Sequence, residues 1–225
     1  MDIKGYKINF LGDSITEGTG VTDRPNCRFD NRLAKMCGIG TVNNYGIGGT
    51  RLAHQFNPSE KPRYDLCFCG RAYDMDTTAD MVIVYGGVND YIHGDALFGK
   101  LGDTTPTTYC GGVYFLMNYL REVYGDKPIL FMTPARSFLR KTVDDLLPST
   151  HAKKVVPGEP LVAYVDAIIE TAKQFNIHVL DLYRNLGIDP HDMADFEAYT
   201  TDGLHFNDAG HGVIAEKLKE FIEAM

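Results

Sequence analysis

An α/β fold built on a parallel sheet is what the sequence predicts, and two patterns carry the prediction. Short apolar runs of strand length alternate along the chain with longer stretches of helical periodicity, and each run stops at glycine, proline or a small polar residue. Parallel strands need crossovers, so such an alternation places helices on both faces of the sheet. The 225 residues are ordinary globular material, 44% apolar and 23% charged, so a full core can form without staples. One domain over residues 1–225 is expected. The stretches near 54–80, 91–110 and 136–158 lack Ser/Gly linker composition and read as insertions over one rim.

Strands are expected at Lys7–Leu11, Thr41–Tyr45, Met81–Tyr85, Pro128–Met132 and His178–Leu182. Helical spacing joins Phe115, Leu116, Tyr119, Leu120 and Val123, then Leu161, Tyr164, Val165, Ile168, Ile169 and Ala172. It returns with Val213, Ile214, Leu218, Phe221 and Ile222. In open α/β sheets ligands sit beyond the carboxyl ends of the strands, so the residues following each run are the functional candidates.

Composition narrows the partners. Lys and Arg number 22 against 30 Asp and Glu, a formal net charge of −8. Such a surface repels phosphate backbones and anionic lipid, which argues against nucleic acid or membrane. The apolar runs are also too short to span a bilayer. Five cysteines cannot all pair, and a core of this size needs no bridge. The expected location is therefore a reducing compartment, the cytoplasm, with no targeting segment ahead of Lys7. Cys67-Phe68-Cys69 lacks the spacing of a metal knuckle. His205, Asp208 and His211 have a spacing that could hold an ion, but Asn207 or Asp208 suits the cap of the last helix better. No metal and no cofactor is expected, and the oligomeric state stays open.

Four islands follow strand-like runs or stand near the C-terminus: Gly12-Asp13-Ser14-Ile15-Thr16, Asn44-Tyr45-Gly46-Ile47-Gly48-Gly49-Thr50, Gly86-Gly87-Val88-Asn89-Asp90 and Asp202-Gly203-Leu204-His205-Phe206. In this order they resemble the four sequence blocks of the SGNH hydrolases, the GDSL-type esterases and lipases, across nearly the whole chain. The resemblance implies a three-layer α/β/α, flavodoxin-like fold with a five-stranded parallel sheet. It makes Ser14 the nucleophile and Asp202 and His205 its partners in a triad. It also makes the backbone N–H groups of Ser14 and Gly49 and the side-chain amide of Asn89 the oxyanion donors. Gly49 is selected over Gly48 because it lies five residues after Asn44. The implied activity is hydrolysis of a small-molecule ester through an acyl-enzyme.

The chemistry is consistent with this apart from any family. A serine hydroxyl needs a base, and histidine titrates nearest neutral pH. A carboxylate three residues before that histidine can hold its tautomer if Gly203 allows a tight turn. Taken singly, each island has a plainer reading. Ser14 or Asp13 could be a helix cap, the glycines a turn, and His205 a surface histidine. A rival reading makes Ser14-Ile-Thr-Glu-Gly-Thr-Gly20 the phosphate loop of a flavodoxin-like FMN or phosphate binder. Glu17 opposes an anion there, and the rival leaves Asn89, Asp202 and His205 without a role.

For the substrate, the expectation is a short acyl group, acetate first, on a small polar alcohol such as a sugar. Gly94-Asp95, Gly102-Asp103-Thr104-Thr105 and Thr107-Thr108 make a small, polar rim. Tyr91, Tyr109 and Phe138 could offer flat faces to a sugar ring. Arg51 and Arg136 could instead hold an anionic leaving group.

Overall fold

The computed structural model describes residues 1–59, 61–138 and 159–225. Most of the expected insertion at 136–158 therefore lies outside the described residues. The five strands are β1 (Lys7–Gly12), β2 (Thr41–Gly46), β3 (Met81–Tyr85), β4 (Ile129–Met132) and β5 (His178–Leu180). They form one parallel sheet in the order β2-β1-β3-β4-β5. All five expected strands are present. The last is shorter than expected because the Asp181 side chain accepts the Arg184 N–H at 3.1 Å and starts a helix at Leu182.

Strand alternation sorts the core into two layers. Ile8, Phe10, Met81, Ile83, Leu130 and Met132 share one cluster with residues of helices Phe29–Cys37 and Asp208–Ala224. Leu11, Val82, Val84, Ile129 and Phe131 share the other with helices Tyr109–Tyr124 and Leu161–Gln174. This is the three-layer α/β/α arrangement. Every residue of β3 is buried, and each such valine or isoleucine side chain contributes about 1.5–3 kcal/mol by leaving water. Helix Tyr109–Tyr124 begins before its periodic apolar residues because the Thr108 hydroxyl accepts the Gly111 N–H at 3.1 Å.

The register sets up the site. Gly12 of β1 lies level with Gly46 of β2 and Tyr85 of β3. The chain leaves β1 toward β2 and later returns to β1's other side as β3, which makes the end of β1 the topological switch point. The first three sequence islands therefore emerge side by side.

Candidate active site

Directly after β1, the Asp13 side chain accepts the Ile15 N–H at 3.0 Å and caps the short helix Ser14–Glu17. Asp13, not Ser14, takes the cap, which leaves the Ser14 hydroxyl available. Ser14 Oγ lies 2.9 Å from His205 Nε2. On the other edge of that ring, Nδ1 lies 2.7 Å from Asp202 Oδ2. The second carboxylate oxygen of Asp202 accepts the backbone N–H groups of Leu204 at 2.9 Å and His205 at 2.7 Å. Such a tight turn needs Gly203, whose φ is +84°. Burial pushes the Asp202 carboxyl up, but the hydrogen bonds and charge of His205 outweigh it and hold it below the usual carboxylate range. An ionised Asp202 accepts from Nδ1–H, so Nε2 faces Ser14 as the acceptor in the neutral ring.

Asp13 itself is fully buried, and burial pushes its carboxyl up to about 6 despite the Ile15 N–H and the charges of His205 and Arg71. The phosphate-loop reading fares poorly against this local geometry. Asp13 and Glu17 put two carboxylates at the turn, and the Gly18 and Thr19 N–H groups are spent on the Ser14 carbonyl at 3.0 and 2.8 Å.

The second island arches over this helix. Gly48 N–H donates to Glu17 Oε2 at 2.9 Å, and Arg63 bridges to Glu17 Oε1 at 2.8 Å. Gly49 has φ +77°, and a Cβ there would sit 2.7 Å from the Tyr64 ring. Its N–H donates to no acceptor among the described residues. The third island opens helix Val88–His93, in which Asn89 and His93 are both buried. Asn89 Nδ2 donates to the Thr50 carbonyl at 2.9 Å, and Asn89 Oδ1 lies 2.9 Å from His93 Nε2. Asp90 ties the third island to the chain just past the second by accepting the N–H groups of Leu52 at 2.8 Å and Ala53 at 3.0 Å.

Arg71 belongs to none of the four islands and carries no signal in the sequence. Its buried guanidinium donates to the carbonyls of Gly12 at 3.0 Å and Tyr45, to Thr50 Oγ1 at 2.9 Å, and through Nε to Leu66 at 2.9 Å. Burial lowers its pKa to about 10, so it stays charged at neutral pH. One cation thus joins the end of β1 to the end and the following turn of β2.

Other expectations change. Arg51 is 1% exposed and donates to the Tyr64 carbonyl at 2.7 Å, so it cannot meet a leaving group. Tyr109 is also 1% exposed, with its hydroxyl donating to the Tyr164 carbonyl at 3.0 Å, so it offers no face to a sugar. Tyr91 packs edge-on against Tyr164. Arg136 pairs with Asp189 at 3.1 Å. Phe138 does flank the His205 turn: its N–H donates to the Gly203 carbonyl at 2.9 Å, and its ring meets His191 and Phe196.

The His205, Asp208 and His211 spacing does not converge. His211 is buried against Phe29, its Nδ1 accepts the Phe29 N–H at 3.2 Å, and Asp208 takes the Thr22 N–H at 2.9 Å while Asn207 caps the last helix. Among the described residues no three His, Cys, Asp or Glu side chains are grouped to hold a metal ion. Cys67 and Cys69 lie at a short helix, and burial pushes the Cys69 thiol well above its ordinary range. No helix among the described residues is long and apolar enough to cross a membrane.

A hydroxyl, an imidazole and a carboxylate are hydrogen-bonded in series beside the strand ends of an α/β/α sheet, a geometry able to activate the hydroxyl for acyl transfer. Family comparison agrees. The model of the GDSL-like lipase/acylhydrolase family matches residues 10–213, and the chain belongs to that family of ester-cleaving enzymes. A solved Lactobacillus plantarum protein superposes with TM-score 0.81 at 27% identity, covering 99% of this chain and 98% of its own. A possible lipase from Chitinophaga pinensis superposes with TM-score 0.67 at 20% identity, over 97% and 98% of the two chains. A carbohydrate acetylesterase family member from Sinorhizobium meliloti gives TM-score 0.65 at 17% identity, over 97% and 98%. A search of curated proteins finds no match.

Proposed function

We propose that Ser14 is the nucleophile of a short-chain esterase that works through an acyl-enzyme and takes an acetylated small alcohol, such as a sugar, as substrate. The observation that carries this is the Ser14–His205–Asp202 series at 2.9 and 2.7 Å. His205 Nε2 removes the Ser14 proton as Oγ attacks the ester carbonyl, and Asp202 stabilises the imidazolium that forms. His205 then passes the proton to the departing alkoxide. Water attacks the acyl-Ser14 carbonyl by the same route, releasing the carboxylic acid.

The negative oxygen of each tetrahedral intermediate is held by the N–H groups of Ser14 and Gly49 and by Asn89 Nδ2. The Gly48 N–H is occupied by Glu17, which supports Gly49 as the donor. Thr50 takes one hydrogen of the Asn89 amide and leaves the second for the oxyanion. Support for a short acyl group on a polar alcohol comes from the rim, where Glu17, Arg63 and Tyr64 lie beside the glycines. The likeness to an acetylesterase-family structure points the same way.

The test joins labelling with a substrate panel. A fluorophosphonate should modify Ser14 alone, and Ser14→Ala should fold yet lose both labelling and turnover. Wild-type turnover in a folded Ser14→Ala would remove Ser14 from the mechanism. Across acetyl, butyryl, octanoyl and acetylated-sugar esters, kcat/KM should fall steeply beyond about four acyl carbons if the acyl site is short. A maximum at octanoyl would overturn the substrate class and leave the nucleophile standing.

A further inference from the structure

We propose that His93 is a positioning residue that fixes which way the Asn89 amide faces, and so keeps an N–H rather than a carbonyl oxygen aimed at the oxyanion. The inference rests on the reading of Asn89 as an oxyanion donor. His93 never meets the substrate in this scheme, because it is 3% exposed and lies behind Asn89. The two residues are four apart on helix Val88–His93, a spacing that places side chains on one face.

A carboxamide has two orientations of nearly the same shape, and its neighbours' chemistry must choose between them. The Thr50 carbonyl can only accept, so the group 2.9 Å from it is Asn89 Nδ2. Oδ1 then faces His93 Nε2 at 2.9 Å, and that nitrogen must carry a hydrogen. Turning the amide over would set two carbonyl oxygens against each other at Thr50 and two N–H groups against each other at His93. It would also present Oδ1 where the intermediate's negative oxygen needs a donor. The Thr50 end is itself held, because Thr50 Oγ1 receives from Arg71 at 2.9 Å and donates to the Ile47 carbonyl at 2.7 Å. Thr50 and His93 thus grip the amide from its two ends.

Two measurements test this, one of them independent of activity. In the wild-type protein, nitrogen NMR of the histidine rings should find a hydrogen on His93 Nε2 at neutral pH. A bare Nε2 overturns the inference whatever the enzyme's activity. Kinetically, His93→Leu should lower kcat about tenfold or more with little change in KM, since the loss falls on the transition state. His93→Gln, which can return an N–H to Asn89, should recover most of it. In an Asn89→Ala background His93→Leu should cost nothing further, because the group it positions is gone. Losses that multiply in the double variant would show His93 acting by another route and overturn the inference. If His93→Leu fails to fold, the ring tautomer and the His93→Gln kinetics decide. An Asn89→Ala enzyme with undiminished kcat would instead overturn the oxyanion reading beneath it.

Discussion

Asp202 shows how much one carboxylate controls. Its Oδ1 is held by two backbone N–H groups, so an asparagine in its place must keep its carbonyl there and turn its NH₂ toward His205 Nδ1. Nδ1 would then become the acceptor and Nε2 would carry the hydrogen, facing Ser14 with no lone pair to take a proton. In the wild type Nδ1 is held by Asp202 Oδ2 at 2.7 Å. Asp202→Asn should therefore lower kcat about 10³- to 10⁴-fold, and raising the pH should not restore it, because the fault is the tautomer. A pH–rate series on both proteins checks this: recovery of the variant at high pH would refute the tautomer argument.

Among the elements, the turn after β2 holds Gly49, the proposed oxyanion donor. Gly49→Ala would place a Cβ against Tyr64 and force a non-glycine residue to φ +77°. The strain is about 1–2 kcal/mol, and the displaced N–H should cost roughly a hundredfold in kcat. Measuring the melting temperature beside kcat separates the two effects. A large loss of stability with kcat intact would show the turn to be structural only.

The same element marks what the sequence reveals. Ser14, Asp202 and His205 are legible because each sits in a short contiguous island whose residue types state their chemistry. Arg71 is not, because it lies in an aperiodic stretch and reaches Tyr45 and Gly12 across 26 and 59 residues. The role proposed for His93 is not legible either, because it depends on Val88–His93 being helical. Arg51 and Tyr109 differ from expectation for a related reason. Nearness in sequence to a site does not say which way a side chain turns, and Tyr109 turns inward as the first residue of a buried helix face. The strands were the easiest part, because full burial leaves an unbroken apolar run, as in β3.

At the scale of the molecule, acid stability should depend on His211. Burial lowers its pKa from 6.5 to about 4, against the pull of Asp30 and Asp208 and with Arg28 and Arg32 nearby. Between those values the unfolded chain binds a proton that the folded one does not, so stability falls as pH falls through the window. The full span is on the order of 3 kcal/mol. Asp13 and Asp90, each pushed up to about 6 by burial, work in the opposite sense: their contribution declines as pH rises from 3.8. His211→Asn should keep an acceptor for the Phe29 N–H while removing the titration. Urea unfolding at pH 7 and pH 4.5 should then show the stability difference change by about 2 kcal/mol in favour of the acid side. An unchanged difference would mean that His211 does not drive the acid limb.

The hydrogen bond between Ser14 and His205 spans 191 residues of chain. A ribosome that has just added Ser14 must add 191 more residues before the base exists, roughly 10 to 40 s at 5–20 residues per second. During that interval the sheet can begin to form, with Ser14 in place at the end of β1, yet its hydroxyl has no base to activate it. A nascent chain stalled before His205 should thus be chemically silent toward esters, and the first turnover would time the arrival of that histidine.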